Sequence, residues 1–548
     1  MSRHVPLPAR LRAGRPPLRA LAAAVLVALL AACSSSGGSG DEASSSASSS
    51  DAPVAGGTYV HALEADPLGC LDAPQQRFHV ALNITRQLAD SLVDQDPETG
   101  KIVPWLAKSW EISDDAKTFT FHLVDGATFS DGKPVDAAAV KANLDRIVAL
   151  GAKAIGAGPW IQGYQSTEAV DPSTAVVTFD RPNVQFLQAL SGSWFGLISP
   201  ADTGKSPEEL CKGTYAGSGP FTLESYTKDQ DAVLLKRTGY DWPSSLAAHK
   251  GEAYLDKLQF TFVPEASVRS GTLTSGQVQS ISLVTWQDEE PLKAAGDTLL
   301  TARQPGLTES WIPNQQSWLA DDEPVRQAIR YAINSQEIVD TVYGPTYRSR
   351  TAPLNSTTPG YVDLSSELPY DQAKAAKLLE DDGWKLGADG IRVKDGKRLS
   401  LNVIASYTDL ELIQQQLKAV GIEYKIRQLD PAAASKATIA GDYDIYAWTM
   451  TRADPTVLNA LFSSDWTSLG YAKANPSELD DLLATQESTV DPDERAAAAA
   501  EVQKYIVERA WLIPIVDRAW TYGTGPTSHG LRLDGETKLV FYDAWIGK

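Results

Sequence analysis

Histidine and cysteine are scarce in this 548-residue chain, six and three residues, and what they fail to build narrows the chemistry. His4, His61, His79, His122, His249 and His529 include no HExxH pair and no close Cys/His ligand group, so neither a catalytic metal nor a cofactor is expected. A P-loop is missing, and Gly217-Ser218-Gly219 runs into Pro220 instead of forming a G-x-S-x-G elbow. Positive charge is short as well. The 49 basic and 69 acidic side chains give −20, which argues against nucleic acid as a partner because affinity for phosphate backbones comes from clustered Lys and Arg. No repeat of about 20 to 50 residues is evident, and beyond the N-terminus no apolar run approaches the roughly 20 residues of a membrane span.

What is present is ordinary globular composition, 43% hydrophobic and 22% charged, in a chain too long for one core at about 100 to 200 residues per domain. Residues 1–32 hold five arginines, no acid and an apolar stretch from Leu21, the pattern of a signal peptide. The stretch ends in Leu30-Ala31-Ala32-Cys33, which resembles the bacterial lipobox. That resemblance implies cleavage before Cys33, lipidation of Cys33 and anchoring to a membrane by acyl chains; an ordinary secretory signal is the alternative. Cleavage there removes five positive charges from −20 and leaves −25. Residues 33–53 are Ser/Gly-rich with nothing large to bury, so a disordered tether is expected. Cys70 and Cys211 remain, and an oxidising compartment favours one structural disulfide over two buried free thiols.

Periodicity places strands at 58–63, 117–123, 174–179, 221–226 and 232–236. Asp136 is an N-cap for a helix to about 150, with Val140, Leu144, Ile147 and Val148 on one face. From about 311 helix and strand alternate: a helix over 324–332, another capped by Asn334 with Glu337 and closed by Gly344, then strands at 399–403, 422–426 and 443–450. Thr408 and Glu411 form a capping box for the first helix between them, which Gly421 ends, and a short helix over 431–440 is the second. The order β-α-β-α-β predicts an α/β fold with a parallel sheet, whose ligands sit beyond strand C-terminal ends. The segment after Met450 is therefore the first place to seek a site. A long helix over 493–509 and an apolar strand at 511–515 follow.

Several phrases then fall in a telling order: Val103-Pro104-Trp105-Leu106-Ala107-Lys108-Ser109-Trp110-Glu111, Phe129-Ser130-Asp131-Gly132-Lys133-Pro134-Val135, Gly217-Ser218-Gly219-Pro220-Phe221, Val325-Arg326-Gln327-Ala328-Ile329 and Leu417-Lys418-Ala419-Val420-Gly421-Ile422. They resemble the extracellular solute-binding protein family 5, the oligopeptide and dipeptide receptors of ABC importers. The resemblance implies a two-lobe, periplasmic-binding-protein-like clamshell of the type II, large cluster C kind. Lobe I would be 54–90, 187–298 and 505–548 with an inserted subdomain at 91–186, and lobe II 299–504. The lobes would close about strands near 299–301 and 511–515. It also implies a monomeric, non-enzymatic receptor on the extracytoplasmic face of the cell membrane that hands its solute to ABC permease subunits.

Site residues follow from both readings. Trp448 ends the strand at 443–450, in a segment similar to the one that lines the family's cleft, so Trp448 and Thr449 are expected to wall the ligand, while Trp105, Trp110, Trp242 and Trp384 are expected to pack. In peptide-binding members an aspartate three residues after that tryptophan pairs with the ligand's α-amino group; here the place is Thr451. A hydroxyl accepts a hydrogen bond but supplies no charge. Either Asp454 substitutes or the ligand lacks an ammonium, unless Asp454-Pro455 is only a turn. Arg452 is a candidate for a bidentate carboxylate contact, with a solvated arginine as the alternative. Loops after strands of the first lobe add His61, Glu64, Ser282, Thr285 and Trp286. Asp94, Asp96 and Glu98 before Gly100 hint at a calcium loop, but the glycine is misplaced and Pro97 intrudes, so a solvated turn is expected. The leading solute is a peptide. The alternatives are an oligosaccharide or opine-like solute, a sensory or structural lipoprotein, and a secreted carboxylate-dependent hydrolase, whose paired acids only spatial arrangement would reveal.

Overall fold

The computed structural model describes residues 52–405, 407–429, 431–464 and 478–547; the signal segment, Cys33 and nearly all of the tether lie outside them. Gly56-Gly57 lead into the strand Thr58–Leu63, which sits inside a seven-stranded sheet. The order is Thr298–Arg303, Ala519–Thr524, Ser280–Ile281, Thr58–Leu63, Lys257–Phe262, Asp231–Lys236, Phe221–Thr227. Thr58–Leu63 runs parallel to both neighbours, and every other pair is antiparallel. Leu258 and Phe260 alternate inward against Tyr59, Leu234 and Phe541, giving this lobe its core. Cys70 and Cys211 are bonded to each other, tying the loop after Thr58–Leu63 to the end of the short helix Pro207–Leu210.

An antiparallel sheet of Ala107–Ile112, Thr118–Leu123, Thr174–Phe179 and Tyr164–Asp171 packs with the helix Ala137–Leu150 on a core that continues into Leu82, Phe186 and Phe195. Asp136 caps that helix, Oδ1 accepting from the Ala139 N–H at 2.9 Å. Val140, Leu144 and Ile147 are buried, but Val148, expected beside them, is 46% exposed. It lies about 100° around the helix from Ile147, past the edge of the apolar stripe. Two of the three acids before Gly100 do separate work. Asp96 accepts the N–H groups of Glu98 and Thr99 in the turn between Val93–Gln95 and Ile102–Pro104, and Asp94 pairs with Arg86 at 3.1 Å.

The second lobe holds a six-stranded sheet, ordered Arg348–Ser349, Ile513–Asp517, Gly306–Pro313, Ile445–Thr451, Ser400–Ile404, Glu423–Arg427. The last three are parallel, as the alternation predicted; the first three pair antiparallel, so the sheet is mixed. They do so because the chain enters this lobe along one of these strands and leaves along another. The apolar strand expected to return to the first lobe is Ile513–Asp517, and it belongs to the second sheet. The return is made by Ala519–Thr524, which pairs with Thr298–Arg303 over its whole length. The crossings are therefore residues 304–305 and 518, where the Gln304 N–H donates to the Arg518 carbonyl at 3.1 Å. Gly306 makes the turn out of the crossing at φ +108, and a Cβ there would stand 2.2 Å from the Met450 carbonyl oxygen. The capping box expected from Thr408 and Glu411 does not form: Asp409 takes the N-cap position of Leu410–Ala419 with no side-chain cap, its carboxylate drawn inward instead. None of the described helices is long and apolar enough to cross a membrane.

Candidate functional site

A run of polar and aromatic side chains follows the crossing segment from one sheet to the other. It begins at Glu64, just past Thr58–Leu63, where burial raises the carboxyl pKa against the opposing effects of its own backbone N–H and Arg269. The charge of Glu64 acts on Tyr522, whose hydroxyl donates to the Thr537 carbonyl at 2.8 Å and lies 3.0 Å from His79 Nε2. The His79 ring stacks on Trp520 with centroids 4.3 Å apart, and burial holds its pKa well below the ordinary imidazole value. Two residues before Trp520, Arg518 turns into the second lobe, with its guanidinium 5.7 Å from the Tyr407 ring and 6.0 Å from the Tyr347 ring.

There it meets two buried acids. Arg518 Nη1 is 3.7 Å from Glu309 Oε2, and the Tyr343 hydroxyl donates to Glu309 Oε1 at 3.1 Å. Burial raises the pKa of Glu309, the charge of Asp409 raises it further, and Arg518 opposes both; Asp409 is raised mainly by burial. Two neighbouring carboxyls cut off from water favour one shared proton over two negative charges. Tyr343 stacks flat on Tyr347, centroids 4.6 Å apart, beside this pair. Along the whole run, Glu64 Oε2, His79 Nδ1, Trp520 Nε1, Arg518 Nε and Gln304 Oε1 have no hydrogen-bond partner in the protein. Buried polar atoms are nearly always paired, so such a concentration marks a place suited to a polar ligand. Sequence reading missed Glu309, Tyr343, Tyr347, Tyr407, Asp409, Arg518, His79 and Trp520. Tyr407 and Asp409 were within reach, since they follow the parallel strand Ser400–Ile404 much as Thr451 closes Ile445–Thr451.

The residues expected from sequence divide. Trp448 is half-buried beside Tyr446, centroids 6.4 Å apart, and packs on the core of its own lobe. Thr449 donates its hydroxyl to the Leu307 carbonyl at 2.7 Å, and the Thr451 hydroxyl accepts from the Gln304 side-chain amide at the crossing. Asp454 is engaged within the protein. Arg495 grips it bidentately at 2.8 Å on each oxygen, and Asp454 also accepts from the Thr456 N–H. Burial alone would raise its pKa, but Arg495 and its other donors hold it below the usual carboxylate range. Arg452 is neither solvated nor free for a carboxylate: it is fully buried, with Cζ 4.1 Å over the Trp160 ring. His61 is likewise withdrawn from any ligand, its ring nitrogens bonded to Ser280 Oγ at 2.7 Å and Ser282 Oγ at 2.8 Å. Burial first, and then Arg269, push its pKa down to about 3, so the ring is neutral. Ser282 is spent on this contact and is fully buried. Thr285 donates its hydroxyl to Asp288 at 3.0 Å, and Trp286 reaches across to the second lobe, its indole N–H donating to the Val342 carbonyl at 3.0 Å.

Comparison with known proteins gives this geometry its setting. Residues 101–468 match the family model described as bacterial extracellular solute-binding proteins, family 5 Middle. Glutathione-binding protein GsiB of Escherichia coli strain K12 is 27% identical over 453 residues, covering 80% of this chain and 85% of its own. Among solved structures, the Helicobacter pylori periplasmic binding protein DppA, in complex with the peptide STSA, superposes with a TM-score of 0.75 at 24% identity, covering 90% of this chain and 99% of its own. AgaA of A. tumefaciens R10, in complex with agropinic acid, gives 0.76 at 24% identity with the same coverage. These neighbours share the two-lobe binding-protein fold, and the names are those of substrate-binding proteins rather than enzymes. By the family match over residues 101–468, the chain belongs to the bacterial extracellular solute-binding proteins, family 5.

Proposed function

We propose that this protein is the solute receptor of an ABC importer, that it captures a peptide or a peptide-like solute between its lobes, and that it delivers the solute to permease subunits. The observation that carries the reading is the run from Glu64 through Trp520 and Arg518 to Asp409, where unpartnered polar atoms alternate with aromatic faces along the crossing between lobes. Apolar walls with a few convergent polar groups are what small-solute sites use. Glutathione for GsiB and the peptide STSA for DppA favour a peptide, and agropinic acid for AgaA keeps a non-peptide solute as the second reading. No hydrolytic role is proposed, because the matched family model and the named relatives are solute-binding proteins.

The same reading places the protein, as a monomer, on the extracytoplasmic face of the cell membrane, held by lipid on Cys33, with the inserted body at 91–186 attached to lobe I. Lobe II would run from about 306 to 517, the strand pairing having moved its expected end. The test is thermal unfolding against di- and tripeptides, reduced glutathione and oligosaccharides. A ligand of the folded state at 100 times its Kd stabilises by about 2.7 kcal/mol. Stabilisation by peptides or glutathione alone supports the reading, stabilisation by another solute alone favours the second, and turnover of the bound compound overturns both. Cys33→Ser should release the protein from the membrane fraction of its host.

A further inference from the structure

Arg452 stands one residue beyond Thr451, at the end of the strand that carries Trp448 and Thr449. Its backbone belongs to the second lobe, with the Arg452 N–H donating to the Pro305 carbonyl at 3.0 Å. Its side chain goes the other way. The guanidinium lies 4.1 Å over Trp160, donates to Gln185 Oε1 and approaches Glu536 Oε1 at 3.8 Å, and it is fully buried there. Trp160 and Gln185 pack in the body built on the antiparallel four-stranded sheet, and Glu536 comes from the chain after its return to the first lobe.

This socket is organised by the first lobe itself. Gln185 donates its amide to the Trp160 carbonyl at 2.9 Å and to Asn183 Oδ1 at 2.6 Å, which leaves its carbonyl oxygen for the arginine. Gln188 donates to Glu536 Oε1 at 3.1 Å, and Trp160 is braced by Trp194 at 6.4 Å. An aromatic face, an amide oxygen and a carboxylate are what a planar guanidinium prefers. Yet Arg452 Nε and Nη1 find no hydrogen-bond acceptor inside. A buried cation with unpaired N–H groups regains water when released, which lowers the cost of opening the contact. Two other polar contacts made by this body with the second lobe, Gln95 to the Ala453 carbonyl and the Val184 N–H to the Glu487 carbonyl, are both 3.4 Å long and uncharged.

We propose that Arg452 is a closure latch: it docks the second lobe into the Trp160–Gln185–Glu536 socket of the first and so sets the balance between open and closed receptor without touching solute. The proposal deepens the receptor reading, since a latch matters where lobes close around cargo. The test uses the full chain with Cys33→Ser, spin-labelled at the exposed positions Val170→Cys and Leu386→Cys on opposite lobes, and reads the interlabel distance distribution without solute. Arg452→Gln should lower the closed-to-open ratio about tenfold, ~1.4 kcal/mol, and Arg452→Lys, which keeps the charge over Trp160, should restore part of it. Trp160→Leu and Glu536→Gln read the same equilibrium from the socket side should Arg452→Gln fold poorly. A distribution unchanged by all these variants while the melting temperature falls, or a wild type that is wholly open, overturns the latch and makes Arg452 a packing residue. Because no solute is needed, failure of the receptor reading appears separately, as a protein that no solute in the thermal panel stabilises.

Discussion

Installing a carboxylate at Thr451 should give this receptor a preference for free amino termini. The family resemblance implies an aspartate at this place to pair with a peptide's α-amino group, and here the nearby charges are committed elsewhere. Asp454 is held by Arg495, and Arg452 is buried in the opposite lobe. The Thr451 hydroxyl accepts from the Gln304 amide, and Thr451 is only partly buried. In Thr451→Asp one carboxylate oxygen can keep the Gln304 bond while the other is left for an ammonium. A hydrogen bond to a charged group is worth roughly 1.5–3 kcal/mol, or about 10- to 100-fold in Kd. The assay is calorimetry on the tightest-binding peptide of the thermal panel, in free and N-acetylated forms. Wild type should bind the two within about threefold, ~0.7 kcal/mol, and Thr451→Asp should favour the free form by about tenfold or more. A wild type that already discriminates about tenfold, with no further gain in Thr451→Asp, would refute the reasoning and place the amine at another carboxylate, Glu64 or the Glu309–Asp409 pair.

Asp454→Asn should destabilise the second lobe by about 1–3 kcal/mol by leaving the half-buried Arg495 without its charge partner, seen in denaturant midpoints, with no change in the preference between free and acetylated ligand. Asp90 is fully buried, and burial pushes its pKa up to about 8, so the folded protein holds a proton that the unfolded chain releases near pH 4. Stability should therefore fall as pH rises from about 4 to 8, and Asp90→Asn should be the more stable protein at pH 8 by several kcal/mol, on the order of 5, with the gap closing below pH 4; parallel stability curves for the two would refute this. Replacing Cys70 and Cys211 together by Ser should cost about 2–5 kcal/mol under oxidising conditions and nothing relative to wild type in reductant.

What was legible in the sequence was whatever local periodicity and caps decide. Thr58–Leu63 begins where Gly56-Gly57 announces it, and Asp136 caps its helix through the Ala139 N–H as its position promised. Partnership across the chain was not legible. The apolar stretch around 511–515 reads as a strand by composition, but whether it joins the first or second sheet depends on pairing with Gly306–Pro313, some two hundred residues earlier. Thr408 and Glu411 have the spacing of a capping box, yet Asp409 takes the cap position and buries its carboxyl near Glu309 on a distant strand.

The same distinction explains the candidate site. Looking beyond strand C-terminal ends points to the same region as the run of unpartnered atoms, since Glu64, Tyr407 and Asp409 stand just past strands and Thr451 ends one. It did not tell which polar residues remain available, because residue type is silent about partners. Asp454 and Arg452 have the charges a ligand would want, and the protein uses both itself, one on Arg495 and the other on Trp160, Gln185 and Glu536. His61 is spent in the same way on two serines, whereas His79, which sequence passed over, keeps Nδ1 free beside Trp520. An unfilled hydrogen bond alone does not mark a ligand group, since Arg452 keeps two; what sets His79 and Trp520 apart is the clustering of such atoms along one run, which emerges only when strands separated by hundreds of residues are brought together.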